Sequence, residues 1–337
     1  MLAARLNKMN YAREGELMLE VIHLKKIYPV SAGIFSTAAA GSLKAVDDVS
    51  FVLEKGTTLG LVGESGCGKT TLARLILNLE QPTNGKVLFN GNNIYEFRGE
   101  QKKQFRKQVQ IIFQDPYSSL NPRKKIGTII GEPLIIHKTV PRSEVPEKIM
   151  QLMELVGLQK DQVSRYPHEF SSGQRQRIGI ARALSLNPRV IIADEPVSAL
   201  DVSIQAQIIN LLQDIQNRMN LTYLFISHDL RVVQYISHKV MVMYLGKLVE
   251  IAPKKELYTH PQHPYTEALL SAAPVPDPFF KKKRILLNGD PPNPLNPPRG
   301  CIFSSRCPIM KPATCLEAHP PLAEIQTGHF VACYLKQ

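Results

Sequence analysis

Eight consecutive residues, Gly63-Glu64-Ser65-Gly66-Cys67-Gly68-Lys69-Thr70, match the pattern G-x-x-x-x-G-K-[ST] at every fixed position. A loop of this kind wraps backbone N–H groups around the β-phosphate of a nucleotide. Its glycines allow a tight turn and a close approach to the anion. Lys69 supplies charge to the β and γ oxygens, Thr70 offers a hydroxyl to Mg²⁺, and Thr71 follows as a further candidate contact. The bland alternative is a glycine-rich surface turn, and the flanks argue against it. Leu59 to Val62 is a short apolar strand, and Leu72, Leu75, Ile76 and Leu79 recur at helical spacing. A loop between strand and helix aims the positive end of the helix dipole at the phosphates.

A second chemical feature lies far downstream. Val190-Ile191-Ile192-Ala193 is an apolar run ending in Asp194-Glu195. The first carboxylate can reach Mg²⁺ through its water shell, and the second can polarise a water for attack on the γ-phosphate. Apolar-Asp-Glu runs also occur by chance, so this pair acquires meaning only beside the phosphate loop.

The elements that must position these residues alternate in type. Strands are expected at Glu20 to Leu24 (leading to Tyr28), Val46 to Leu53, around Val87 and Phe89 before an Asn90-Gly91 turn, and at Tyr223 to Ile226. Val240 to Leu245, a Gly246-Lys247 turn and Leu248 to Ile251 form a hairpin pattern. Ser31 to Ser42 is expected as a loop. Helices are expected around Ile149, Leu152, Met153 and Val156, over Ser172 to Leu184, and along Ile204, Ile208, Leu211, Leu212 and Ile215. Strands alternating with helices imply a mainly parallel sheet. Beyond about Pro261 the chain becomes proline-rich, with Pro274, Pro276, Pro278, Pro291, Pro292, Pro294, Pro297 and Pro298, and suggests a separate small module.

The chain of 337 residues is 44% hydrophobic and 21% charged, an ordinary globular balance with room for about two domains. No apolar run approaches the roughly 18–20 residues of a membrane span, and the N-terminus lacks a signal-peptide core. A cytosolic protein able to dock on a membrane protein is expected. The net charge of +12 is scattered, apart from Lys281-Lys282-Lys283-Arg284, and no aromatic platform for bases accompanies it, so no nucleic acid is expected. Cys67 occupies a variable loop position; the other four cysteines, Cys301, Cys307, Cys315 and Cys333, crowd the C-terminus. Four thiolates suit tetrahedral zinc or a [4Fe–4S] cluster, and free thiols are the third reading.

Further marks occur in order. Phe170-Ser171-Ser172-Gly173-Gln174-Arg175-Gln176-Arg177 precedes the Asp194-Glu195 strand, Ile111-Ile112-Phe113-Gln114-Asp115-Pro116 lies upstream, and Ser198-Ala199-Leu200-Asp201 and Ile226-Ser227-His228-Asp229 follow. With these the chain resembles ATP-binding-cassette (ABC) ATPases: the first resembles the LSGGQ signature, Gln114 the Q-loop, Ser198 to Asp201 the D-loop, and His228 the switch histidine. Tyr28 is similar in placement to the aromatic that stacks on adenine. Taken singly, each has a plain alternative: a structural histidine, a helix cap at Ser198 to Asp201, a core tyrosine. Asn121-Pro122-Arg123 after Ser118-Ser119-Leu120, His263-Pro264-Tyr265-Thr266 with Leu269-Leu270, and Gly300-Cys301-x-Phe303-x-x-Arg306-Cys307-Pro308 resemble the oligopeptide/dipeptide importer subfamily. Residues 193–200 and 166–170 are most similar to the second, "F" type, of its two paired ATPases.

This resemblance implies an α/β P-loop NTPase (RecA-like) core with an antiparallel β subdomain, an inserted helical subdomain at about 114–184, and a small cysteine-containing C-terminal module. The ATPase domain would span 18–260 and the extension 261–337. It implies ATP and Mg²⁺ as ligands, with Gly63 to Thr71 holding phosphates, Thr70, Gln114 and Asp194 serving the metal, Glu195 as general base and His228 on the γ-phosphate. In a head-to-tail dimer, Ser171, Ser172, Gly173 and Gln174 of one copy would close the ATP site of another. Some relatives carry an iron–sulfur cluster on the terminal block, which favours that reading of the cysteines over zinc. Implied partners are a second ABC ATPase subunit as heterodimer, two transmembrane permease subunits and, through the complex, an extracytoplasmic peptide-binding protein, at the cytoplasmic face of the inner membrane. The family pattern has Gly where this chain has Ser172, which implies slower hydrolysis at the site facing this signature. Two alternatives are a soluble ABC ATPase acting on nucleic acid or ribosomes, and a module that holds ATP without hydrolysis. Other cargo, such as nickel or antimicrobial peptides, is a further option.

Overall fold

The computed structural model describes residues 17–30, 41–272 and 284–337. Most of the expected Ser31 to Ser42 loop, the lysines of the 281–284 run, and Pro274, Pro276 and Pro278 lie outside the described residues. In chain order the principal elements are β1 (Leu17–Val30), β2 (Gly41–Glu54), β3 (Thr58–Val62), α1 (Lys69–Ile76), β4 (Asn84–Phe89), β5 (Asn92–Asn93), α2 (Gly99–Gln108), β6 (Val109–Ile112), α3 (Pro116–Ser119), α4 (Ile126–His137), α5 (Val145–Leu155) and α6 (Ser172–Leu184). There follow β7 (Val190–Asp194), α7 (Val202–Met219), β8 (Thr222–Ile226), α8 (Leu230–Ile236), β9 (Lys239–Tyr244), β10 (Lys247–Pro253), α9 (Lys254–Thr259), α10 (Pro264–Ala272), α11 (Pro312–Cys315), β11 (Ala323–Gln326) and β12 (His329–Val331).

These elements divide between two compact units. The first takes the described residues of Met1–Glu54, Thr58–Tyr95 and Ser227–Gln337; the second takes Lys55–Thr57 and Glu96–Ile226.

In the first unit, β1 and β2 form a long antiparallel ribbon from Leu17 opposite Glu54 to Val30 opposite Gly41. β4 pairs with the other edge of β1, and β5 pairs with β4. Leu19, Val21, Leu24, Val49, Phe51 and Leu53 are buried, the pattern of an antiparallel sheet with one face in the core. The β4–β5 turn places Asn90 and Gly91 at φ 48° and 79°, the left-handed pair that a tight hairpin demands. In the second sheet of this unit β3 lies parallel to β9 and is buried along its whole length, as its unbroken apolar run requires. β10 returns antiparallel to β9 after a turn with Leu245 and Gly246 at φ 41° and 80°. The C-terminal tail, expected as a separate small module, instead extends this sheet: β12 pairs with β10, and β11 with β12. Leu79, expected on the helix after the phosphate loop, lies outside it and is exposed. Asn78, at φ 52°, turns the chain before the fourth apolar position is reached.

In the second unit β6, β7 and β8 run parallel in register, with Val190 opposite both Val109 and Thr222. α6 packs against α4, α5, α7 and β6, burying Ile178, Ile180, Ala181 and Leu184. The 12-residue α4 lies within the expected helical subdomain but is not among the helices read from periodicity.

Candidate active site

The first unit carries the phosphate loop between β3 and α1. Gly68 is the N-cap of α1 at φ 109°, and a Cβ there would stand 2.0 Å from the Ala45 carbonyl oxygen. Gly66 is also left-handed, at φ 78°. A Cβ on Gly63 would meet the Met243 carbonyl oxygen at 2.2 Å. Space therefore requires glycine at 63, and conformation and space together require it at 68. Lys69 is buried, and its Nζ donates to the carbonyl oxygens of Gly63 at 2.8 Å and Glu64 at 3.0 Å, which hold the ammonium across the loop. Cys67 is buried beneath the loop, and burial pushes its thiol up from the ordinary value. Thr70, Ser65 and Gly66 are exposed.

Tyr28, near the end of β1, donates its hydroxyl to Glu80 Oε2 at 2.5 Å, and Lys26 Nζ lies 5.0 Å from its ring centre. Burial and then the Glu80 carboxylate raise the phenol, and the Thr71 side chain acts on it in the opposite direction. The sequence carries no signal for Glu80 as the partner of Tyr28. His228 is exposed between β8 and α8, next to Asp229, whose carboxylate accepts from the Arg231 N–H at 2.8 Å.

The second unit carries the carboxylates. Asp194 is buried at the end of β7. Glu195 follows at φ 48°, a strained setting for a residue with a side chain, held by its N–H donating to the Ile226 carbonyl at 2.9 Å. Gln114 Nε2 donates to Glu195 Oε2 at 3.1 Å, joining two residues that lie 81 positions apart. Ser198 Oγ donates to the Glu195 carbonyl at 3.1 Å, and Asp201 caps α7 by accepting from the Ile204 N–H at 3.0 Å. The helix-cap reading of Asp201 is therefore correct as far as it goes.

Ser171 is the N-cap of α6. It accepts from the Gln174 N–H at 3.3 Å, while Gln174 Oε1 accepts from the Ser171 N–H at 3.0 Å, a reciprocal capping box. Ser171 and Ser172 are exposed at this helix N-terminus. Gly173 is buried, and a Cβ on it would reach 2.4 Å from Ile204 Cγ2. The guanidinium of Arg175 lies 5.1 Å from the Tyr117 ring centre, and that of Arg182 lies 5.9 Å from Phe113, so α6 grips both flanks of Gln114.

The four C-terminal cysteines line one cavity of about 10 Å³. Burial, then the neighbouring cysteines, push the Cys301 thiol up to about 11. The donors suit a soft metal in kind, but that space holds about one water-sized sphere. Among the described residues no group of His, Cys, Asp or Glu is arranged to hold a metal ion. A space of that size is too small for the expected [4Fe–4S] cluster; it sets no such size limit on a single zinc ion.

Among the described residues no helix is long and apolar enough to cross a membrane.

Comparison with known proteins agrees with the motifs. Residues 46–198 match the ABC transporter family model, and residues 249–315 match the oligopeptide/dipeptide transporter C-terminal region. The chain is 54% identical over 327 residues to the oligopeptide transport ATP-binding protein AppF of Bacillus subtilis, covering 96% of this chain and 99% of that one. It is 51% identical over 325 residues to the dipeptide transport ATP-binding protein DppF of Haemophilus influenzae, covering 96% and 98%. Among solved structures, cbiO1 of Clostridium perfringens, part of the ABC transporter complex cbiONQ, superposes with a TM-score of 0.62 over 73% of this chain and 92% of its own, at 23% identity, a likeness of fold alone. The expected α/β P-loop core is thereby established, and the chain belongs to the ABC transporter family, among its oligopeptide and dipeptide transport ATP-binding proteins.

Proposed function

We propose that this chain is the ATP-hydrolysing subunit of an importer for di- or oligopeptides, peripheral at the cytoplasmic face of the inner membrane. The observation that carries the reading is the phosphate loop itself: two left-handed glycines, Gly66 and Gly68, and a buried Lys69 at the start of α1. Backbone N–H groups of residues 66–71 receive the phosphates, and Lys69 exchanges its two carbonyl acceptors for phosphate oxygens. Thr70, Asp194 and Gln114 would hold Mg²⁺, which offsets phosphate charge when bound; an acid as buried as Asp194 fits a cation neighbour. Glu195, oriented by Gln114, takes a proton from the attacking water as its oxygen bonds to the γ-phosphorus and the bond to the β-phosphate oxygen breaks. His228 contacts the γ-phosphate, and Tyr28 stacks on adenine.

Residues 18–260 form the ATPase domain in this reading, with a helical subdomain at 114–184 that docks on two permease subunits, and 261–337 form an extension. A second ATPase subunit supplies the opposing signature helix, whose exposed N-terminus adds donors and dipole at the γ-phosphate. Losing the bridging γ-phosphate weakens the closed dimer and shifts the permeases between states. A peptide-binding protein outside the membrane delivers cargo. A [4Fe–4S] cluster on the four cysteines is supported only by their convergence and would require that cavity to open. An iron-free, colourless preparation under anaerobic conditions would dismiss it.

The test is the full transporter reconstituted in vesicles with a labelled dipeptide or oligopeptide. Glu195→Gln is expected to lower ATP turnover by about 100-fold or more and stop uptake, while ATP affinity stays within a few-fold. A Glu195→Gln complex that still turns over at the wild-type rate would overturn the assignment.

A further inference from the structure

The phosphate loop is held from the opposite end of the chain. Glu64 is its second residue. The Glu64 carboxylate accepts from Arg306 Nη1 at 3.1 Å on Oε1 and 3.0 Å on Oε2, and the Glu64 backbone N–H donates to Tyr265 Oη at 3.0 Å. Arg306 Nη1 also lies 3.5 Å from Tyr244 Oη. Neither tether is superficial. The Arg306 side chain is only 9% exposed, and Tyr265 is fully buried, its ring 4.7 Å from Tyr244 and 5.5 Å from Phe303. Phe303 in turn packs edge-on against Tyr244.

We propose that Arg306 and Tyr265 are positioning residues for nucleotide binding: they fix the base of the phosphate loop in its binding conformation. The inference rests on the functional reading above. A loop rich in left-handed glycines has many conformations open to it, and ordering it on ligand binding costs affinity. A loop ordered in advance by a charge-assisted pair and a buried hydrogen bond avoids that cost. The N–H of Glu64 faces Tyr265, so it serves as an anchor and leaves the later N–H groups to the phosphates. Arg306 also balances an acid that would otherwise stand uncompensated inside an anion-binding loop. Both residues lie in the stretch 249–315 that matches the transporter C-terminal region, outside the stretch 46–198 that matches the ATPase model. The C-terminal region is thus part of the frame of the ATP site.

The experiment is steady-state ATPase of the assembled transporter, with equilibrium binding of a fluorescent ATP analogue to the full chain. Arg306→Met and Tyr265→Phe are each expected to raise KM for ATP and weaken analogue binding by about five- to tenfold, with kcat within about twofold. Glu64→Gln with Arg306→Met is expected to be no worse than Arg306→Met alone, because both act through one pair. A merely structural loss would lower the active fraction, hence kcat, and leave KM alone; that result, or KM within twofold of wild type in both single variants, overturns the proposal. Should Arg306→Met fail to fold, Tyr265→Phe and Glu64→Gln, which keep the ring and the side-chain volume, decide it by the same KM criterion. A wild-type chain that neither binds nor hydrolyses ATP would remove the functional reading itself, a distinct result from variants that match an active wild type.

Discussion

Ser172 occupies the first turn of α6, exposed, with its neighbour Ser171 capping the helix and Gly173 wedged against Ile204. The two positions obey different constraints. At 173 a Cβ has no room, so Gly173→Ala should push α6 from α7 and destabilise the protein by about 1–3 kcal/mol, read from chemical denaturation. At 172 the side chain meets no such wall within this chain. Its effect falls on whatever approaches the helix N-terminus. Ser172→Gly is therefore expected to leave stability almost unchanged apart from a small loss of helix propensity, and to raise ATP turnover in the assembled complex. Unchanged turnover would dismiss the idea that this serine slows the facing site. The pattern of letters marks both residues equally; only the 2.4 Å approach to Ile204 separates a packing glycine from a ligand-facing serine.

At the scale of elements, helix α6 was legible because its local signals agree: Ser171 and Gln174 at capping-box spacing, then Ile178, Ala181 and Leu184. Ser171→Ala should cost about 1 kcal/mol through loss of that cap, measured as a shift of the denaturation midpoint. Helix α4 was not legible. Gly127, Gly131 and Pro133 interrupt its pattern, and each lowers local helix propensity. Tertiary contact overrides them: a Cβ on Gly131 would lie 2.8 Å from Ile149 Cδ1, and one on Gly127 2.6 Å from Val163 Cγ2. These glycines admit neighbouring side chains, which a single-sequence reading takes for loop punctuation. The first helix ended sooner than its period suggested for a similar reason. Asn78 adopts φ 52° and donates its side-chain amide to the Ile94 carbonyl at 2.7 Å.

At the scale of the whole molecule, the tail is built into the first unit by a buried polar hub. Glu250 on β10 is fully buried and accepts from His329 Nε2 at 2.7 Å, the Gln262 N–H at 2.8 Å and the His263 N–H at 2.9 Å. Glu250→Leu would strand three donors without acceptors, and is expected to cost about 3–5 kcal/mol, seen as a large fall in Tm. Acid should act on the same region. Burial pushes both His263 and His319 down to about 4 from the usual 6.5. Their folded values lie below the unfolded ones, so the unfolded chain binds more protons between about pH 6.5 and 4. Stability is expected to be intact above pH 6.5 and to fall as pH drops through that window, by on the order of a few kcal/mol in all. Denaturation followed at pH 7 and pH 5 checks it; equal stability at the two would count against buried neutral imidazoles.

The sequence by itself determined the chemistry of the phosphates and the strand–loop–helix that carries it. That information is local: glycine spacing, an apolar run before Asp194-Glu195, a capping box before a helical period. Tertiary structure alone decided that Gln114 bonds Glu195, that Arg306 and Tyr265 hold Glu64, and that β12 joins β10. Each of these joins residues tens to hundreds of positions apart. No periodicity encodes such a meeting, because it depends on how buried surfaces and paired charges settle once the chain has closed on itself.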